Sequence, residues 1–241
     1  MIKAIILAAG RGSRMKNLTL TQPKCLLKIN GLSILDMQIN SLKKSDIHEI
    51  GLVVGYKNEA FQKYTLKKFK NTLWDKSNIF QSLTCADEWL QNFTCIVSYG
   101  DIFYEKTAIN SLLNSNDDIS LTYDTNWKSL WKKRFSDPLM DAETFMINSD
   151  YYVTNIGKKT NKFTLIQGQY MGLLKLEPSG WNNLKKIFYS FNPNDRRKFD
   201  MTAILDLAIK EKIKIKAIPF NGNWGEVDSE TDLRLYKKLI K

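Results

Sequence analysis

Residues 6–31, ILAAGRGSRMKNLTLTQPKCLLKING, constrain this chain more than any other stretch. An apolar strand runs into a turn of small residues, Ala8-Ala9-Gly10-Arg11-Gly12-Ser13. Small residues let the backbone approach a ligand closely and turn its N–H groups toward oxygens. Arg14 follows at once and Pro23-Lys24 comes soon after, supplying the positive charge that phosphates need. A strand ending in such a loop, with two cations beside it, implies a chain that handles a nucleoside triphosphate. Two other phosphate loops are excluded. The dinucleotide fingerprint needs a glycine where Met15 stands, and the Walker-type loop needs a terminal Gly-Lys-Ser/Thr that is absent.

A length of 241 residues allows one large domain or two small ones and is enough to bury a sizeable core. We read 1–241 as a single domain in which 125–168 is an inserted acceptor-binding or lid segment. No run of eighteen apolar residues is present, so no membrane helix is expected, and the start MIKAIILAAG reads as a first strand. The net charge of +11 has three readings: a nucleic-acid face, attraction of an anionic substrate, or a lysine-rich surface without a specific partner. The last is preferred, because the basic clusters Lys132-Lys133-Arg134 and Arg196-Arg197-Lys198 are short and lie in no nucleic-acid module. Cys25, Cys85 and Cys95 leave an odd count without metal-type spacing, which fits a reducing cytoplasm. Cys25 is read as a packing residue. With His48 the single histidine, histidine-centred catalysis is not expected.

Strand and helix patterns alternate through the first half. Apolar strands are expected at Lys3–Ala9, Ile50–Gly55, Cys95–Tyr99 and Ile119–Tyr123, with a short one at Asn71–Trp74. Helices are expected after the cap Ser33…Asp36, near Glu59–Lys67, over Ile79–Leu90 and near Lys106–Asn114. Such alternation predicts an α/β fold: a Rossmann-like, open, mostly parallel sheet with helices on both faces. From Asp124 the pattern changes, and 125–168 reads as a small β-rich insert over the carboxyl edge of the sheet. Gln169–Leu176 and Ile213–Ile218 return as strands. One helix follows Asp200, and another starts at the capping box Ser229…Asp232.

In open α/β sheets ligands bind beyond the carboxyl ends of the strands. The Gly-rich loop lies at one such end and Asp101 at another, after the strand CIVSY. Asp228, in WGEVDS before the last helix, is a second carboxylate of the same kind. Mg²⁺ takes one or two carboxylates plus substrate phosphates. Each aspartate also has a plainer reading as a cap or turn former.

The order LAAG-x-G-S-R-M, PK, Asn-x-x-x-Ser, an Asp after a central strand, then EVDS resembles the nucleotidyltransferase (pyrophosphorylase) family. Within it the chain is similar to the small cytidylyltransferases of the CTP:phosphocholine type, found in bacterial surface-polysaccharide pathways. The similarity implies a Mg²⁺ ion between Asp101 and Asp228, with Lys24 on the reacting phosphates and Arg14 on the triphosphate. It implies that Leu7, Ala8, Ala9, Gly10, Gly12 and Ser13 bind the nucleotide, with the backbone of Leu7–Gly10 and the element Asn78…Ser82 surrounding the base. That the base is cytosine rests on the resemblance alone. The implied substrates are CTP and a small phosphorylated or phosphonate acceptor, whose anionic oxygen attacks the α-phosphorus and expels pyrophosphate. Lys24, Arg14 and Asp101 are then the catalytic set, acting by positioning and charge neutralisation.

Acceptor-binding candidates come from the insert and its return. Trp127 and Trp131 are i,i+4 and share a face if helical; Asp141 and Glu143 are i,i+2 and share a face if extended; Gln169 and Tyr170 start the returning strand. Aromatic rings with carboxylates suit an amine-bearing acceptor. Equally, the tryptophans can be core and the carboxylates solvated. The segment DTNWKSLWKKRFSDPLMDAETF departs from the phosphocholine enzymes and leaves the acceptor open. Two alternatives stay in view: a sugar-1-phosphate uridylyl- or thymidylyltransferase, and a non-catalytic nucleotide-binding subunit or nucleic-acid binder.

Overall fold

The computed structural model describes residues 1–240. A seven-stranded sheet runs in the order 216–220, 119–124, 169–176, 94–99, 2–8, 50–54, 67–70. Gln169–Leu176 is antiparallel to both of its neighbours, and the other six strands are parallel to one another. The first strand pairs with Ile50–Val54 on one side and with Thr94–Tyr99 on the other. The chain therefore reverses its direction of travel between Ile2–Ala8 and Thr94–Tyr99, and a ligand crevice opens at such a switch point.

Helices cover both faces because successive side chains of a strand point to opposite sides. Ile5 and Leu7 pack into one core cluster with Phe80, Trp181 and Leu205. Ala4, Ile6 and Ala8 pack into another with Leu35, Ile109 and Leu173. Ser33 caps the helix Ile34–Lys43 by accepting from the Asp36 N–H at 3.0 Å. Asp200 caps the helix Met201–Lys210 through Ala203 N at 2.8 Å, and Ser229 and Asp232 form a capping box at Glu230–Leu239.

Four expected elements differ. The helix expected near Glu59–Lys67 is a 3-10 turn, Asn58–Phe61, followed by the edge strand Lys67–Lys70. Only Phe69 of that strand is buried, so its sequence carries little strand signal, and pairing with Ile50–Val54 decides it. Asn71–Trp74 is correspondingly a loop and turn, with Asn71 Oδ1 accepting from Leu73 N at 2.8 Å. Ile79–Leu90 is two short helices, Ile79–Thr84 and Asp87–Leu90, broken where the Cys85 N–H turns back to the carbonyls of Ser82 and Leu83. The insert is not purely β: it opens with the helix Trp127–Arg134 before the hairpin Glu143–Ile147/Val153–Lys159. Among the described residues no helix is long and apolar enough to cross a membrane.

Candidate functional site

Beyond the first strand the backbone bends sharply. Gly12 has φ of +70°, and a Cβ there would meet the Lys24 side chain at 2.9 Å, so glycine lets the loop and the lysine stem occupy one corner. Gly100 presses equally hard, since a Cβ would lie 2.6 Å from the Leu7 carbonyl oxygen. Between these loops lies a cavity of about 310 Å³. Leu7, Ala8, Ala9, Gly10, Gly12 and Arg14 line one side of it. Lys24, Asn78, Ser82 and Asp101 line the other, whereas Ser13 stays outside its wall. Asn78 caps the helix Ile79–Thr84 through Ile79 N at 2.8 Å, and the Ser82 hydroxyl accepts from Asn71 Nδ2 at 2.9 Å.

At the inner end of the cavity, charges from distant parts of the chain meet. Lys24 Nζ lies 2.6 Å from Asp101 Oδ2 and 2.8 Å from Asp228 Oδ1, and Arg14 donates to the same Asp228 oxygen at 2.9 Å. Burial works against the Lys24 charge, yet Asp101 and Asp228 hold its ammonium well above the usual lysine range. Burial likewise opposes ionisation of Asp228, but Lys24, Arg14 and Arg134 together hold it below the usual carboxylate range. Glu226 joins these two aspartates: one oxygen from each of the three carboxylates lies within 4.8 Å of the others. Burial, reinforced by the charge of Asp228, pushes Glu226 up to about 8. Asp101 Oδ1 is buried without a hydrogen-bond donor. An unsatisfied carboxylate oxygen beside two more acids, all hard oxygen donors, fits a divalent cation. Cys25, behind this centre, is pushed up to about 12 by burial and stays an inert thiol.

A second cavity of about 360 Å³ adjoins the first and shares Arg14, Asn78, Ile79 and Asp101 with it. Trp131, Asp141, Glu143, Gln169 and Tyr170 line it, so five of the six acceptor candidates converge. Trp127 does not reach it; its ring is 5% exposed and stacks on Phe163 at 6.2 Å. Gln169 is occupied structurally, exchanging hydrogen bonds with the backbone N–H and carbonyl of Glu143 at 3.1 and 2.6 Å. Burial raises the carboxyls of Asp141 and Glu143, and for Glu143 the charges of Asp200 and Asp141 add to the effect.

Several wall residues escaped the sequence reading. Glu226 stands two positions before Asp228, a spacing that places both on one side of an extended segment, and this signal was available. Asp200 was read only as a cap, yet it lines the second cavity. Trp74 lines the first cavity and packs against Tyr56 at 5.2 Å. Arg134 was read as part of a surface cluster, but its side chain has no exposed area. Its spacing distinguishes it from Lys132 and Lys133: three residues after Trp131 and seven after Trp127, it falls on the same face of the helix as the two tryptophans.

Residues 4–142 match the family model of the MobA-like NTP transferase domain. A CTP:phosphoglutamine cytidylyltransferase of Campylobacter jejuni is 34% identical over 97% of this chain and 98% of its own length. A choline-phosphate cytidylyltransferase of Streptococcus pneumoniae is 33% identical over 47% of this chain and 51% of its own. The solved structure of CTP:phosphocholine cytidylyltransferase from Streptococcus pneumoniae superposes with a TM-score of 0.77 at 23% identity, covering 100% of this chain and 99% of that one. At that identity the superposition speaks for the fold alone.

Proposed function

The chain belongs to the MobA-like NTP transferase family, and we propose that it transfers CMP from CTP to a small phosphorylated acceptor and releases pyrophosphate. The observation that carries this reading is the shared wall of the two cavities. Arg14 and Asp101 border both, so a nucleotide in one and an acceptor in the other meet at the charged centre.

The acceptor's phosphoryl oxygen is anionic near neutral pH and attacks the α-phosphorus without a general base. The bond to the bridging oxygen breaks, and its electron pair leaves with pyrophosphate. Lys24 and Arg14 offset the charge that builds on the α-phosphate and the leaving group. The loop from Leu7 to Gly12 brings backbone N–H groups to the triphosphate, while Asn78, Ser82 and Trp74 surround the base. Asp101, Asp228 and Glu226 would hold Mg²⁺, which when bound draws the phosphate oxygens together and neutralises them. The segment 125–168 acts as the acceptor-side insert of one nucleotidyltransferase domain. Asp141, Glu143 and Asp200 place negative charge around the far end of the acceptor and favour one that carries an amine. The name of the Campylobacter jejuni relative makes phosphoglutamine the first compound to test. A cytoplasmic site of action and a place in surface-polysaccharide synthesis complete the reading.

The test is pyrophosphate release with CTP, UTP, dTTP and ATP against phosphoglutamine, phosphocholine, 2-aminoethylphosphonate and glucose 1-phosphate. Release with CTP and an amine-bearing acceptor is expected. Preference for UTP or dTTP with glucose 1-phosphate would overturn the choice of substrate.

A further inference from the structure

Arg134 ends the helix Trp127–Arg134 and is fully buried among acids. Its NH1 donates to Glu226 Oε2 at 3.1 Å, its Nε to Asp232 Oδ1 at 3.0 Å and its NH2 to Asp232 Oδ2 at 3.4 Å. The same NH2 lies 3.9 Å from Asp228 Oδ2. Asp232 in turn accepts from the backbone N–H groups of Asp228 at 3.1 Å and Ser229 at 2.9 Å, which fixes the turn that carries Asp228. On its other side the guanidinium lies 5.0 Å from the ring centre of Trp131, a wall of the acceptor cavity.

We propose that Arg134 is the positioning residue of the metal carboxylates, clamping Glu226 and Asp232 so that Asp101, Glu226 and Asp228 face one cation together. The proposal rests on the metal-dependent transfer described above. Carboxylates this close repel one another once ionised, and separate unless a cation holds them. Lys24 and Arg14 reach Asp101 and Asp228, but among the described residues Arg134 is the one side chain bonded to the Glu226 carboxylate. The planar fork satisfies two carboxylates at once from a fixed direction, a geometry that a lysine ammonium does not reproduce. It bonds Oε2 of Glu226, and among the described residues no hydrogen bond reaches Oε1. Because Arg134 and Trp131 lie on one helix, the acceptor wall and the acids are held by a single element.

The experiment is calorimetric titration of CTP into the wild type, Arg134→Lys and Asp232→Asn, each with and without Mg²⁺. The readout is the factor by which Mg²⁺ tightens CTP. Arg134→Lys keeps a buried cation but loses the fork, and that factor should shrink by about tenfold, the usual cost of losing a group that orients a metal ligand. Affinity without Mg²⁺ should be unchanged. Asp232→Asn keeps much of the capping capacity and should shift the factor in the same direction by less. A merely structural arginine would lower the melting temperature and leave the factor at its wild-type value in both variants, and that result overturns the proposal. If Arg134→Lys does not fold, Asp232→Asn decides alone by the same criterion. Failure of the wild type to bind CTP would instead strike the substrate reading, and with it this one.

Discussion

The two adjoining cavities, one proposed for the nucleotide and one for the acceptor, are built in opposite ways. The nucleotide cavity takes about half of its wall from one short stretch, Leu7 to Cys25, whose backbone must pass close to a ligand and to itself. The acceptor side is assembled from a helix, a hairpin, the start of the returning strand and the Asp200 cap, contributed from separate parts of the chain. Backbone recognition leaves a dense local signature, because few residues other than glycine accept φ of +70° beside a packed lysine. Side-chain recognition leaves scattered letters whose meaning depends on the fold. A nucleotide pocket can therefore be kept while an acceptor pocket is replaced.

If the two sides divide the work in this way, Lys24→Ala should have the largest effect. Turnover should fall by about 10²–10³ with the fold retained, as for loss of one charge-stabilising group. Single-turnover kinetics beside a melting curve checks this, and near-normal turnover in a folded variant would remove Lys24 from the chemistry. Asp228→Asn should come next. It keeps size but removes a hard anionic ligand, and turnover should drop by about 10² and recover partly at high Mg²⁺ or with Mn²⁺. A wild-type Mg²⁺ midpoint would reduce Asp228 to a turn residue.

Glu143→Gln tests the acceptor side alone. The acceptor KM should rise by about tenfold, the cost of one lost ionic hydrogen bond, with the CTP KM unchanged. Equal shifts in both constants would dissolve the distinction between the two sides. The same variant has a stability signature. Burial holds the folded Glu143 carboxyl above its ordinary value of 4.5, with Asp200 and Asp141 adding to the effect. The folded form therefore keeps a proton that the unfolded chain has released. Stability of the ligand-free protein falls as pH rises from that ordinary value through the folded one, and Glu143→Gln should flatten this slope of melting temperature against pH. Trp127→Ala should have the smallest kinetic effect. Its buried ring does not line the acceptor cavity, so stability should fall by about 3–5 kcal/mol with the acceptor KM unchanged in the surviving fold. A selective rise in acceptor KM would return Trp127 to the pocket.

The same contrast explains what the sequence disclosed. The sheet was legible because buried strands such as Ile50–Val54 are continuous apolar runs. The edge strand Lys67–Lys70 was not, because three of its four residues are solvated lysines and its identity comes from its neighbour. Asp101 and Asp228 were legible from their places at strand ends. Glu226 was half legible through its spacing from Asp228. Arg134 was legible only as a residue on the tryptophan face of its helix; its acidic partners lie 92 and 98 residues away, and a basic run is ordinarily a surface.

The ion pair between Lys24 and Asp228 joins residues 204 positions apart. Such a contact forms late, because closing so long a loop costs chain entropy before any contact repays it. On a ribosome the strand, loop and lysine emerge well before Asp228, and Asp101 is the acid that reaches Lys24 sooner. A chain stopped short of Asp228 would carry the walls of the nucleotide cavity and Asp101 but lack the second aspartate at its centre. Competence for the reaction thus waits on a segment made long after the loop it completes, although that loop carries the most recognisable letters.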